Sequence, residues 1–205
     1  MSALITFDGP KGVGKTTLIR LVNERLLELG YVVESLAEKE LMADAMGALV
    51  NQAYLDLKAR PGRASEESIA VLHRQGRLRI QETCLGSSMA DVLLLDRWYP
   101  SDAVFRRHID VASTIQANLD AGVRVPNLAF AVTCSADVSW ERALQRKRRL
   151  DSKVIETFDE HAESTARFES LAQHFGWYLL RTEHATPEAL CGEVVALIER
   201  TTTLR

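Results

Sequence analysis

The sequence has little cysteine: Cys84, Cys134 and Cys191 only, an odd number with no C-x-x-C spacing. That pattern excludes a disulfide framework and a zinc ribbon, and the three thiols read as small buried hydrophobes. Long apolar runs are also missing. No stretch approaches the ~20 residues that span a bilayer, so no membrane partner is expected. Met1 to Asp8 has no basic region before its short apolar run, so no signal peptide is expected and the cytoplasm is the expected compartment. There is no excess charge of one sign. Lys plus Arg number 25 and Asp plus Glu 28, a net charge of −3. This balance argues against a nucleic-acid-coating protein but permits a local basic pocket for a phosphate-bearing molecule. No repeat, low-complexity tract or linker is visible.

What is there fits a soluble globular chain: 46% hydrophobic and 26% charged over 205 residues, long enough for one domain with a large core. A single domain over residues 1–205 is expected. Five short apolar runs stand out: Ala3 to Phe7, Tyr31 to Val33, Val92 to Leu95, Leu128 to Val132 and Trp177 to Leu180. Each is apolar at nearly every residue, as in strands buried on both faces of a parallel sheet. Amphipathic segments lie between them. Helices are expected from Lys15 to a stop at Gly30, over Leu41–Lys58, from a Ser65 cap, over Ser101–Ala121, over Ala136–Lys147, and from Thr186-Pro187 onward. Strand and helix alternate, so the class is α/β, a five-stranded parallel sheet flanked by helices.

Gly9-Pro10-Lys11-Gly12-Val13-Gly14-Lys15-Thr16-Thr17 matches G-x-x-x-x-G-K-[ST], between an apolar strand and an amphipathic helix. Gly9, Gly12 and Gly14 let the backbone wrap a phosphate, with the N–H groups from Lys11 to Thr17, Val13 among them, pointing inward. The helix N-terminus adds positive potential. Lys15 reaches the β- and γ-phosphates, and the Thr16 hydroxyl is placed for Mg²⁺. ATP and Mg²⁺ are the expected cofactors. Val92-Leu93-Leu94-Leu95-Asp96 ends a strand with an acid. Ligands of parallel sheets bind at the carboxyl ends of the strands, so Asp96 is a second metal candidate, and Arg97 after it can clamp another phosphate.

The set F-D-G-x-x-G-x-G-K-T-T, followed by Asp96-Arg97-Trp98 with Ser101 five residues after the Asp, resembles thymidylate kinases. Asn127 to Val132, the Glu141-Arg142 helix and Arg148 to Ser152 extend the likeness over most of the chain. The resemblance implies the P-loop kinase fold and γ-phosphoryl transfer from ATP to a deoxynucleoside monophosphate. It implies an acid near the acceptor sugar and metal at Asp8, an arginine on the acceptor phosphate at Arg97, and one on the base or phosphate at Arg77. His73 falls where the family stacks a Phe. Asp102 and Phe105 fall on the acceptor side.

Departures from the family are specific. The R-E-P-G-G-T segment is absent, and Glu34 to Glu38 stands in its place. Lys11 replaces a frequent Asp. Asp102 replaces a small or amide residue, and an ionised carboxylate only accepts hydrogen bonds, which suits an amino-bearing base. The Arg97, Ser101, Asp102 arrangement also resembles deoxynucleoside kinases, in which Glu34 would be the base acting on a hydroxyl. The run Arg142 to Arg149 is the densest cationic stretch. As a helix it would put Arg142, Arg146 and Arg149 on one face, in a mobile lid of about residues 146–156 whose arginines stabilise the transition state while Arg142 meets the nucleotide. Three functions stay open at this point: a nucleotide kinase, a nucleoside or other small-molecule kinase, and a regulatory ATPase. The partner is a nucleotide or nucleoside, and a homodimer is compatible with the sequence.

Overall fold

The computed structural model describes residues 2–145 and 155–201. Five strands, β1 (Ala3–Asp8), β2 (Val33–Ala37), β3 (Val92–Asp96), β4 (Leu128–Thr133) and β5 (Tyr178–Arg181), form one sheet in the order β2-β3-β1-β4-β5. Every pairing is parallel, with Phe7 opposite Asp96 and Asp8 opposite Ala131. This register brings Asp8, Asp96 and the residue after Ala37 to one edge.

The helices are α1 (Lys15–Glu28), α2 (Glu38–Ala59), α3 (Arg63–Ile80, continued by a π-helical turn over Gln81–Leu85), α4 (Tyr99–Val104), α5 (Val111–Asp120), α6 (Ala136–Gln145), α7 (Phe158–Phe175) and α8 (Pro187–Thr201). The apolar runs are continuous because both sheet faces are covered. Ile5, Phe7, Leu94 and Val132 pack with Val22 and Leu26 of α1 and Val194 and Ile198 of α8. Leu4, Leu93 and Leu95 pack on the other face with Met42, Ile80 and Ile115. No described helix is long and apolar enough to cross a membrane.

Several expected boundaries move. Strand β2 starts at Val33, not Tyr31. Helix α3 starts after Gly62, and the Ser65 hydroxyl donates to the Arg60 carbonyl rather than capping a helix. The helix expected over Ser101–Ala121 is broken at residues 105–110. The Glu66 carboxylate accepts from the backbone N–H of Arg107 and of His108, so those donors are taken, and Asp110 caps a new helix by accepting from Ser113. Helix α7 was not expected at all. It opens with a capping box in which Thr157 and Glu160 satisfy each other's backbone N–H groups. Arg146, Arg149 and most of the expected lid lie outside the described residues. Of that stretch only Ile155, buried, and Glu156, exposed, are described.

Candidate active site

The loop after β1 is shaped by contacts that only glycine allows. A Cβ at Gly9 would lie 2.0 Å from the Val132 carbonyl oxygen, and one at Gly12 would lie 2.0 Å from that of Ser139. Gly9, Gly12 and Gly14 all have positive φ. Val13 buries its side chain in the core and offers a phosphate only its backbone. Lys15 is buried and folds back, with Nζ donating to the carbonyls of Gly9 (3.0 Å) and Pro10 (2.7 Å). Thr16 and Thr17 are exposed at the start of α1, while Lys11 is half-buried.

Beside the loop, Asp8 Oδ1 accepts three hydrogen bonds: from Trp98 N (3.1 Å), Ser101 N (3.0 Å) and Ser101 Oγ (2.6 Å). Its Oδ2 is buried with no hydrogen-bond partner among the described residues, as is Asp96 Oδ1. Burial raises the Asp8 pKa, opposed by the Ser101 and Trp98 bonds and the Arg97 charge. Arg97 has φ of 72°, the one non-glycine with positive φ among the described residues. Its N–H donates to the Phe7 carbonyl, its Nη1 donates to Ser101 Oγ at 3.0 Å, and its guanidinium lies 5.3 Å from the Phe105 ring centre. The exposed Thr16 hydroxyl and the two orphaned carboxylate oxygens are hard oxygen donors, a set that fits Mg²⁺.

Behind Arg97 lies a buried ionic network. Arg77 is fully buried. It donates Nε to Glu38 (2.6 Å) and Nη1 to Asn118 (3.0 Å), and its Nη2 stands 3.6 Å from Asp102. Asp102 also binds Arg106, which in turn reaches the Tyr54 hydroxyl. His73 Nδ1 is 4.0 Å from Asp102, and its ring meets Tyr54 edge-on. Burial alone would raise the Asp102 carboxyl, but Arg106, His73 and Arg77 outweigh it and hold it below the usual carboxylate range. Burial likewise raises Glu38, against the pull of Arg77.

The expected site residues therefore divide. Asp8, Gly9 to Thr17, Asp96, Arg97 and Phe105 gather at the carboxyl edge of the sheet. Arg77 is buried and bonded through Nε to Glu38 and through Nη1 to Asn118, while its Nη2 has no hydrogen-bond partner among the described residues. Asp102 is flanked by the guanidinium groups of Arg77 and Arg106, and its Oδ2 accepts no hydrogen bond among the described residues. Glu34 is exposed inside β2 opposite Leu93, short of the strand's carboxyl end, and accepts from Ser88 Oγ at 2.7 Å. The acid at the end of β2 is Glu38, which the sequence reading passed over because it set the strand too early. Arg142 is exposed in the last turn of α6. Ser101 and Arg106 were not singled out as site residues. Their signal was local: Ser101 sits four residues after Arg97, and Arg106 four after Asp102.

A phosphate loop at the carboxyl edge of a parallel sheet, faced by two acids and a held arginine, defines a P-loop nucleotide kinase. The chain belongs to the thymidylate kinase family, whose description, "Thymidylate kinase", matches residues 7–190. Among proteins carrying that name, it is 29% identical to one from Roseiflexus castenholzii over 154 residues, 73% of this chain and 64% of the relative. It is 28% identical to one from Geobacter sp. strain M21 over 170 residues, 79% of this chain and 73% of the relative. To one from Leptospira interrogans it is 27% identical, over 82% of this chain and 74% of the relative. The match thus spans just under two thirds of the Roseiflexus protein.

Proposed function

We propose that this chain transfers the γ-phosphoryl group of ATP to the phosphate of a deoxynucleoside monophosphate, with thymidylate the first acceptor to test. The observation that carries the reading is Arg97. A bulky residue in the left-handed region is strained, and here Phe7, Ser101 and Phe105 hold it, with Ser101 bonded also to Asp8, the residue before the loop. A guanidinium fixed in that place grips an acceptor phosphate in two directions at once.

In this reading the loop backbone and Lys15 hold the β- and γ-phosphates, and Lys15 leaves the Gly9 and Pro10 carbonyls to do so. Mg²⁺, when bound, neutralises charge on the β/γ oxygens. Thr16 and Asp96 would hold it, with Asp8 Oδ2 beside them. Asp8 also orders Ser101 and, through it, Arg97. Phe105 and His73 border the acceptor. Arg146 and Arg149 remain candidates for transition-state stabilisation, and Arg142 for contact with the nucleotide. A second reading draws on Glu38, an acid buried at the end of β2 that would serve as the base for a hydroxyl acceptor.

One panel separates the readings: ATP-Mg²⁺ with thymidylate, deoxyuridylate, deoxycytidylate, thymidine and deoxycytidine, products followed by mass spectrometry. The expected product is a nucleoside diphosphate, with nucleosides unchanged. Phosphorylation of a nucleoside alone would move the assignment to the Glu38 reading. ATP hydrolysis indifferent to every acceptor would point to a regulatory ATPase.

A further inference from the structure

The two helices that bracket residues 146–154 meet behind the phosphate loop. Ser139 of α6 and His161 of α7 are both fully buried, and His161 Nε2 lies 2.7 Å from Ser139 Oγ. The Ser139 hydroxyl is also 3.2 Å from the Ser135 carbonyl and 3.1 Å from that of Ala136. Its proton is directed at those carbonyls, which leaves the oxygen to accept and His161 to donate from Nε2. Burial, and after it the Lys15 ammonium, lowers the His161 pKa and keeps the ring neutral. Trp140 closes the other side of the ring at 5.4 Å.

The opposite end of Ser139 touches the site. Its carbonyl oxygen stands where a Gly12 side chain would begin, 2.0 Å from that Cβ position. There is no slack in such a contact, so a shift of the α6 backbone moves the loop with it. The chain of contacts runs from His161 through Ser139 to Gly12.

We propose that His161 is a positioning residue for ATP: through Ser139 it fixes α6 against Gly12 and so sets the shape of the phosphate loop. The proposal rests only on the ATP half of the function above. A loop that cradles the triphosphate in ground and transition states alike affects affinity more than turnover.

His161→Phe is expected to weaken ATP binding about tenfold, with kcat at saturating ATP and the acceptor KM within about twofold of wild type. His161→Gln keeps an N–H donor near the Nε2 position and is expected to return ATP affinity to within about twofold. Ser139→Ala should weaken ATP binding to a similar degree, and His161→Phe should add nothing in that background. ATP affinity is read by equilibrium titration with ATP-Mg²⁺ and no acceptor, so the outcome stands whatever the acceptor proves to be. Unchanged ATP affinity in a folded His161→Phe protein, failure of Gln to rescue, or additive effects in the double variant would each overturn the proposal. If His161→Phe does not fold, unchanged ATP affinity in Ser139→Ala overturns it alone.

Discussion

Asp8 and Ser101 are 93 residues apart in sequence, and the Ser101 hydroxyl donates to the Asp8 carboxylate at 2.6 Å. The same hydroxyl accepts from Arg97 at 3.0 Å. One small side chain thus couples the acid at the end of β1 to the arginine that follows β3. Ser101→Ala should therefore lower kcat/KM for the acceptor about tenfold and leave ATP affinity nearly unchanged, since it loosens Arg97 without touching the loop. Steady-state kinetics with each substrate varied in turn reads this directly.

Lys15→Ala should abolish transfer with little change in unfolding temperature. Among the described loop residues Lys15 is the cation aimed inward, and the two buried hydrogen bonds that it loses are to carbonyls of the loop itself, outside the hydrophobic core. Turnover at the wild-type rate in folded Lys15→Ala protein would end the kinase assignment.

Arg97→Ala is expected to raise the acceptor KM at least tenfold and to leave ATP affinity within about twofold. The opposite pattern, ATP affinity lost and acceptor KM kept, would place Arg97 in the donor site.

Asp102→Asn is a test of stability. The substitution leaves Arg77 and Arg106 buried with one countercharge fewer, a change that costs about 3–5 kcal/mol for buried pairs. The Asp102 pKa is depressed in the folded state, so its contribution is complete above the unfolded value of about 4 and is lost as pH falls below it. Glu38, whose pKa is raised, has the opposite slope. Urea denaturation of both proteins should show a gap at pH 7 that narrows at pH 3. A gap independent of pH would mean that the carboxylate charge is not what stabilises the network.

The sheet was legible because β1, β3 and β4 are buried on both faces, and such strands are written as unbroken apolar runs. The phosphate loop was legible because its glycines and Lys15 are each dictated by local geometry. Strand β2 is an edge with a mixed burial pattern, so its bounds slid and Glu34 was named where Glu38 stands. The break after α4 is imposed by Glu66, about forty residues upstream, and no local pattern near Phe105 announces it. Arg77 reads as a binding arginine only through the family resemblance, since helical spacing alone, which puts it on one face with His73 and Gln81, suggests a solvated face. Only the packing of α2, α3 and α5 shows that it is buried, with Glu38 on its Nε and Asn118 on its Nη1.

The backbone at Arg97 carries a consequence for selection. A non-glycine residue in the left-handed region costs about 1–3 kcal/mol that Gly would not incur. Arg97→Gly should therefore recover part of that strain in thermal melts while losing capture of the acceptor phosphate. Drift toward a more stable chain and retention of the reaction pull this one position in opposite directions. A relative that had lost its acceptor would be free to let the arginine go first, and glycine or asparagine at position 97 would mark it.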